Sequence, residues 1–217
     1  MNVEAKGLDY KALNEAIRAA GPSCRITGCL GQRFIGAGMS GRQVEIDGIP
    51  GNALGAYLGG GTITVNGNAQ DAVGDTMNDG SIINAGYRVG ILMKAYEDEP
   101  PVIVIGGRAG SFLGEYQAGG TILVLGQHTD GKPVAGYFPC TGQHGGRVIF
   151  RGDVSGIRFP EQVTPHAPTA EELAQLRPLV ERWCALFGGD AAALMKGPFT
   201  VVTPDSRNPY RQMYAAN

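Results

Sequence analysis

Apolar and polar residues alternate in short runs that recur along most of the chain, and each run ends at a glycine. The runs read VEIDG, ITVNG, IINAG, VIVIG, ILVLG and VIFRG, and they close at Gly48, Gly67, Gly86, Gly106, Gly126 and Gly152. Four of the five steps between these glycines are 19 or 20 residues long. Alternation with a period of two is typical of a β-strand with one buried face. One such strand every 19 to 20 residues predicts a parallel β-helix whose coils stack on one another.

The spacing from each closing glycine assigns the side chains to two faces. Apolar residues recur four and two positions before the glycine, and we expect these to point inward: Val44 and Ile46, Ile63 and Val65, Val102 and Val104, Ile122 and Val124, Val148 and Phe150. The outward positions are polar in the early coils, at Gln43, Glu45, Asp47, Thr62, Thr64 and Asn66. In the later coils they are apolar, at Ile103, Ile105, Leu123 and Leu125. A strand that is apolar on both faces is covered on both, so we expect the C-terminal helix or another subunit to pack on the later coils.

A second glycine recurs in the middle of the repeats, at Gly36, Gly55, Gly74, Gly114 and Gly136. We interpret these glycines, with Gly67, Gly106 and Gly126, as structural turns, because tight stacked corners favour a residue without Cβ that reaches positive φ. The segment GAGMSG matches the glycine pattern of dinucleotide-binding loops, but a strand follows it where such a loop needs a helix. Nucleotide binding is therefore not expected.

Helical periodicity appears at both ends of the chain. The N-terminal segment LDYKALNEAIRAA has apolar residues at helical spacing, and the segment PTAEELAQLRPLVERWCALFGG opens with a capping box formed by Thr169 and Glu172. We therefore predict an N-terminal helical cap over 1–24, a β-helix over 25–156, and a C-terminal helix with an extended tail over 157–217.

Composition excludes several classes of function. The net charge is −2 and the pI about 5.9, which does not indicate nucleic acid as a partner. No apolar run is long enough to cross a membrane and the amphipathic N-terminus does not resemble a secretory signal, so a cytoplasmic location is expected. The four cysteines form no C-x-x-C pair, and the three histidines have no metal-binding spacing. We predict no metal and no cofactor in this chain.

Few residues could take part in catalysis, and we assign none as catalytic. A cysteine nucleophile would have to pair Cys140 with His144 in one loop, and we interpret Cys140 as a packed or loop cysteine instead. The acidic cluster in KAYEDEPP is interpreted as a solvated loop between coils. Tyr87, Arg88 and Lys94, close to that cluster, are candidate contacts for a partner.

Four segments carry a more specific signal than periodicity: GNALGAYLGGGTITVNGNAQDAVGDTMNDG, AGYRVGILMKAY, PVIVIGGRAGSFLGEYQAGGTILVLG and GRVIFRG. They resemble the C-terminal glycine-repeat, or GXGXG, domain of the glutamate synthase large subunit, in its stand-alone archaeal form, over roughly residues 25–156. The same domain family includes one of the subunits of formylmethanofuran dehydrogenase and small subunits of N-methylglutamate synthase-like complexes. The resemblance implies a right-handed β-helix that holds no cofactor and braces a glutaminase domain against an FMN and iron–sulfur domain.

The resemblance therefore implies a non-catalytic scaffold subunit of a glutamate synthase-type oxidoreductase complex in glutamate biosynthesis. Glutaminase and FMN-domain chains would be its partners and would carry the FMN and iron–sulfur cluster; self-association is a further option. The alternatives are a scaffold in a formylmethanofuran dehydrogenase or N-methylglutamate synthase-type complex, and an autonomous β-helix enzyme or carbohydrate-binding protein. In one respect the chain departs from its relatives. SIINAGYRVG joins two repeats directly, as if a coil were absent, and this places Asn84 in an inward column.

Overall fold

The computed structural model describes residues 1–84 and 101–205. Within them, ten strands form one sheet in the order β1-β2-β3-β4-β5-β6-β7-β8-β10-β9. The strands from β1 to β8 pair in parallel, whereas β10 is antiparallel to both β8 and β9. The chain is a β-solenoid of about five turns, which confirms the predicted parallel β-helix.

The strands are β1 (Asn2–Glu4), β2 (Ser23–Leu30), β3 (Arg42–Ile49), β4 (Gly59–Asn66), β5 (Asp79–Asn84), β6 (Val102–Ile105), β7 (Ala118–Val124), β8 (Gly145–Arg151), β9 (Val163–His166) and β10 (Phe199–Pro204). The helices are α1 (Tyr10–Ala19), α2 (Ala170–Phe187) and α3 (Ala191–Met195). The N-terminal segment thus contributes a strand to the sheet as well as a helix, because β1 pairs with β2.

Two inward columns run through the stacked strands. One consists of Cys24, Val44, Ile63, Ile82, Ile103, Ile122 and Val148, and all of these residues are buried in the inner core. The other contains Ile26, Ile46, Val65, Ile105, Val124 and Phe150, which are buried in the same core, and the backbone of Asn84 takes the register position between Val65 and Ile105. The predicted inward pairs are therefore correct on every strand except β6.

On β6 the predicted faces are reversed. Ile103 and Ile105, expected to point outward, are fully buried in the inner core, whereas Val104, expected inward, belongs to the outward cluster. Val65 pairs with Asn84, 19 residues on, but Asn84 pairs with Ile105, 21 residues on. The strand register advances by 21 residues at this step, whereas the closing glycine advances by 20, from Gly86 to Gly106. Counting from the glycine is therefore wrong by one residue on β6, and a one-residue shift swaps the two faces of a strand.

The coils close through turns built on left-handed residues. Positive φ recurs at alternate positions of five turns. The residues are 34, 36 and 38 in the first turn; 53, 55 and 57 in the second; 72, 74 and 76 in the third; 112, 114 and 116 in the fourth; and 138, 140 and 142 in the fifth. These turns are bonded from coil to coil: Ala53 N donates to Asp71 O at 3.0 Å, Gly55 N to Ile35 O at 2.8 Å and Tyr57 N to Asp75 O at 2.8 Å. They form a second ladder, which we call the turn ladder.

The middle position of each turn faces the inner core. Gly36, Gly55, Gly74 and Gly114 occupy it, and a Cβ added at Gly55 would lie 2.7 Å from Ile82 Cδ1. Gly136, which sequence counting grouped with them, does not share this position: its φ is not positive, and buried Cys140 takes the middle position of that turn.

The core is closed at the first coil by α1 and along its outward side by α2. Leu13 and Ile17 of α1 pack against the inner core. Leu176, Val180 and Trp183 of α2 pack on the outward face of the later strands, over a cluster that includes Ile83, Val104, Leu123, Leu125 and Ile149. The chain's own C-terminal helix thus covers the later coils.

Candidate partner-binding surfaces

The partner contacts predicted from sequence, Tyr87, Arg88 and Lys94, lie outside the described residues. The predicted turn glycines are spread over the stacked coils, where Gly67 lies directly above Gly48 and Gly106 lies against the ring of Trp183. The described site residues are therefore not gathered into one pocket.

The one cysteine with a histidine nearby in sequence lacks the environment of a nucleophile. Cys140 is fully buried, and burial raises the pKa of its thiol to about 12. A thiol with such a pKa stays protonated at neutral pH, whereas the thiolate is the reactive form. His144 directs its Nδ1 to Gly142 O at 3.0 Å. Among residues 1–84 and 101–205, no three His, Cys, Asp or Glu side chains group closely enough to hold a metal ion, and no helix there is long and apolar enough to cross a membrane.

The early coils carry a polar groove of about 410 Å³ on the outward face of β2–β4, bordered by Arg182 of α2. The two carboxylates on this face, Glu45 and Asp47, are both paired with Arg25. Arg25 pairs with Asp47 through two hydrogen bonds of 2.6 and 3.0 Å, and Asn66 donates to Glu45 and Asp47 at 2.8 Å. The hydrogen bond from Arg25 holds the pKa of Asp47 below its ordinary value. Arg25 and Arg182 line the groove together with one carboxylate, Glu45, so this pairing does not neutralise the whole groove.

The outward face of the sheet changes character along one register column. The column begins with Arg25, Glu45 and Thr64 on the early strands. It continues as Ile83, Val104, Leu123 and Ile149, which α2 buries. Arg182 of α2 donates to Thr62 Oγ1 at 3.0 Å, at the boundary between the two halves. The apolar half is buried on folding, whereas in the polar half Arg25 is exposed and Glu45 and Thr64 are half-buried.

The turn ladder exposes a cluster of aromatic side chains on the later coils, consisting of Phe112, Tyr116, Tyr137 and Phe138. Tyr137 is 78% exposed and Phe138 is 61% exposed. The rings of Phe112 and Phe138 are 5.4 Å apart. Contiguous exposed apolar surface of this kind typically marks an interaction site.

Backbone conformation strengthens this interpretation. Phe112, Tyr116 and Phe138 have φ values between 52° and 59°. Left-handed backbone costs a residue with Cβ about 1–2 kcal/mol relative to glycine. These aromatic residues therefore combine strained backbone with exposed rings, which folding alone does not favour. Sequence reasoning missed them, although the spacing was readable: aromatic residues stand two positions before or after the middle glycine in FIGAG, ALGAY and FLGEY.

The chain shares its repeat pattern with a known family. The model of the GXGXG motif matches residues 7–85. This range contains three turns in which left-handed residues stand at alternate positions. The glycines of the motif have the same alternate spacing. An uncharacterized protein of Methanocaldococcus jannaschii, MJ1350, is 36% identical and is aligned over 98% of this chain and 95% of its own. The chain belongs to the family of this protein, and its residues 7–85 match the GXGXG motif.

A solved structure shares the fold. The formyltransferase/hydrolase complex (FhcABCD) from Methylorubrum extorquens, in complex with methylofuran, contains a chain that aligns with a TM-score of 0.52 and 18% identity, over 92% of this chain and 89% of that chain. At this identity the likeness concerns the fold.

Proposed function

We propose that the chain is a non-catalytic β-helix scaffold subunit of a glutamate synthase-type oxidoreductase complex. The observation that carries the proposal is the GXGXG motif, whose matched residues include three turns of the turn ladder. The similarity to the archaeal relative extends over nearly the whole length of both chains. The resemblance of these repeats to the glycine-repeat domain of glutamate synthase supplies the type of complex. Glutaminase and FMN-domain chains would then be separate subunits, and this chain would hold them in place.

The surfaces described above support a scaffold role. The outward sheet face presents a polar groove in which Arg25 pairs with Glu45 and Asp47, and the turn ladder presents exposed aromatic rings on strained backbone. Aromatic residues are enriched at the centres of protein–protein interfaces. The buried, protonated Cys140 gives no support to a covalent mechanism.

A second candidate is a scaffold subunit of a formylmethanofuran dehydrogenase or N-methylglutamate synthase-type complex. The structural likeness to a chain of a formyltransferase/hydrolase complex favours this candidate. Both candidates share the scaffold role and differ in the catalytic chains that the protein would hold.

Reconstitution distinguishes the two. The purified chain is mixed with glutaminase and FMN-domain chains from the same organism, and glutamine-dependent formation of glutamate from 2-oxoglutarate is followed; a parallel mixture uses formyltransferase and hydrolase chains. We expect a stable complex and stimulated turnover with the first set. Association with the second set alone would favour the second candidate. Bound flavin, or turnover by this chain alone, would contradict both.

A matched pair of variants links the assay to the surface. The double variant Tyr137→Ser/Phe138→Gly removes two exposed rings from the aromatic cluster, and we expect it to weaken assembly at least tenfold. Leu30→Ser removes an exposed apolar side chain from β2 and should leave assembly unchanged. Equal effects of both changes would argue against the aromatic cluster as an interface.

A further inference from the structure

A second surface lies at the opposite end of the turn ladder. A groove of about 460 Å³ runs between α1 and the turns of the first two coils. Tyr10, Lys11, Glu15, Arg18, Phe34 and Tyr57 line it. It is separate from the aromatic cluster on the later coils and from the polar groove on the sheet.

The walls of this groove are held together by one side chain. Asn14 of α1 is buried, and its Nδ2 donates to Tyr10 O at 2.8 Å and to Phe34 O at 2.9 Å. Its Oδ1 accepts from Gly36 N at 2.9 Å. Asn14 thus fastens the helix to the first turn, so the groove exists before any ligand arrives. A preformed groove avoids the entropy loss of ordering its walls on binding.

Three aromatic rings face the groove while remaining open to solvent. Tyr57 is 59% exposed, Tyr10 45% and Phe34 37%, and the rings of Tyr10 and Phe34 are 5.7 Å apart. Phe34 and Tyr57 both have φ of 56°. Gly38 holds the position in the first turn that Tyr57 holds in the second, so the fold accepts glycine there. The rings are therefore better explained by binding than by folding.

The charges around the rings are mainly positive. Lys11 and Arg18 line the groove, and the guanidinium of Arg33 lies 5.2 Å from the centre of the Phe34 ring. Glu15 is the one carboxylate among the described residues that line the groove. The chain as a whole has a net charge of −2, so this local excess of positive charge is opposite to the average. Aromatic rings flanked by cations suit a ligand that is apolar in its centre and acidic at its edges.

We propose that this groove binds a short acidic segment of a partner polypeptide. An apolar side chain of that segment would lie between the rings of Tyr10, Phe34 and Tyr57, and carboxylates beside it would pair with Lys11 and Arg18. This proposal depends on the proposed function in one respect: it assumes that the acidic segment belongs to a neighbouring subunit of the complex. Binding of an isolated peptide does not require the complex, so the two proposals can fail separately.

Fluorescence anisotropy with three labelled hexapeptides tests the ligand chemistry on the full chain. DEWLED carries both features, DESGED keeps the carboxylates and lacks the apolar centre, and KKWLKK reverses the charge. We expect DEWLED to bind at least tenfold more tightly than either control, with an affinity that falls as salt screens the charges. Equal binding of DEWLED and DESGED, equal binding of KKWLKK, or no saturation by DEWLED up to about 1 mM would overturn the proposal.

Two matched pairs of variants place the binding in this groove. Tyr57→Gly removes a ring at a left-handed position that tolerates glycine, and it should weaken DEWLED binding about tenfold; Tyr116→Gly makes the same change on a later coil and should have no effect. Lys11→Glu/Arg18→Glu should abolish binding, whereas Lys132→Glu/Arg158→Glu, the same charge change elsewhere, should not. Thermal melting of each variant shows whether it is folded. Loss of binding in a control, or retained binding in a folded groove variant, would show that the peptide binds elsewhere.

Discussion

Two glycines with nearly the same positive φ allow the effect of coil stacking to be compared with that of backbone strain. Gly146 in β8 has φ of 66°, and Gly38 in the first turn has φ of 64°. A Cβ added at Gly38 would meet no atom within 4 Å. At Gly146 it would lie 2.5 Å from both the carbonyl carbon and the oxygen of Gly119, and 2.6 Å from Gly120 O. These are backbone atoms of the preceding coil, which no side-chain rotation can move away.

The expected stability loss follows from these contacts. Both Gly38→Ala and Gly146→Ala place Cβ on left-handed backbone, which costs about 1–2 kcal/mol. Gly146→Ala must also push two coils apart, and overpacking of a well-packed region costs about 1–3 kcal/mol more. We therefore expect the loss for Gly146→Ala to be about 2–5 kcal/mol, compared with about 1–2 kcal/mol for Gly38→Ala.

Urea unfolding, once shown to be reversible, gives the free energy of unfolding of each variant. The difference between the two variants is the quantity of interest, because both positions share a positive φ and only Gly146 is in contact with a neighbouring coil. If Gly146→Ala and Gly38→Ala destabilise the protein equally, the coils do not stack in contact at Gly146, and the argument for glycine at these positions is wrong.

Three further predictions concern single side chains. Gln143 is fully buried and its Oε1 has no hydrogen-bond partner among the described residues. Gln143→Met removes this unpaired acceptor but also removes the donor to the buried Gln117 Oε1, so the two effects oppose each other and the variant should stay within about 1 kcal/mol of the parent in urea unfolding; Gln117→Met leaves Gln143 Nε2 without this acceptor and should destabilise the fold by about 1–3 kcal/mol. The hydrogen bond from Arg25 lowers the pKa of Asp47 on folding. The Asp47 carboxylate therefore stabilises the folded state at pH values above its ordinary pKa of 3.8, and this stabilisation is lost as the pH falls through the lowered pKa. In Asp47→Asn the free energy of unfolding should lack this pH-dependent contribution, which we expect to be less than about 1 kcal/mol. Cys140 should react with a thiol reagent only as fast as the core opens, which mass spectrometry after timed labelling will show; rapid labelling of the native protein would contradict its burial.

Most of the fold was predictable because burial in a β-helix is periodic. Each coil repeats the same two inward positions, so the burial of Val44, Ile63 and Ile122 in one column can be predicted from their spacing alone. The prediction failed at β6 because it counted from a closing glycine. That glycine is set by local packing, which for Gly106 is the ring of Trp183. The hydrogen-bonded register of the strand is a separate property, and only the structure displays it.

The candidate surfaces were less predictable for a physical reason. Hydrophobic periodicity reports what is buried, whereas the rings of Phe34, Tyr57 and Phe138 are exposed and project from left-handed positions that follow neither strand nor helix spacing. Their signal is a substitution within the glycine pattern, where an aromatic residue stands at a position that glycine could occupy. These aromatic positions can be recognised in the sequence once the alternate left-handed positions of the turn ladder are known.

The turn ladder is also the surface that best suits a scaffold. Among the described residues, α2 covers the apolar half of the outward sheet face, α1 covers the first coil, and β10 extends the sheet beyond β8. The outer positions of the described turns carry exposed side chains on a backbone that is bonded between adjacent turns, namely Phe34, Tyr57, Phe112, Tyr116 and Phe138. A partner that grips several turns would contact a surface whose spacing is set by the coils themselves. The β-helix would then hold its partners at fixed distances, and an absent coil would shift one contact relative to another by about 4.8 Å, the spacing of neighbouring strands.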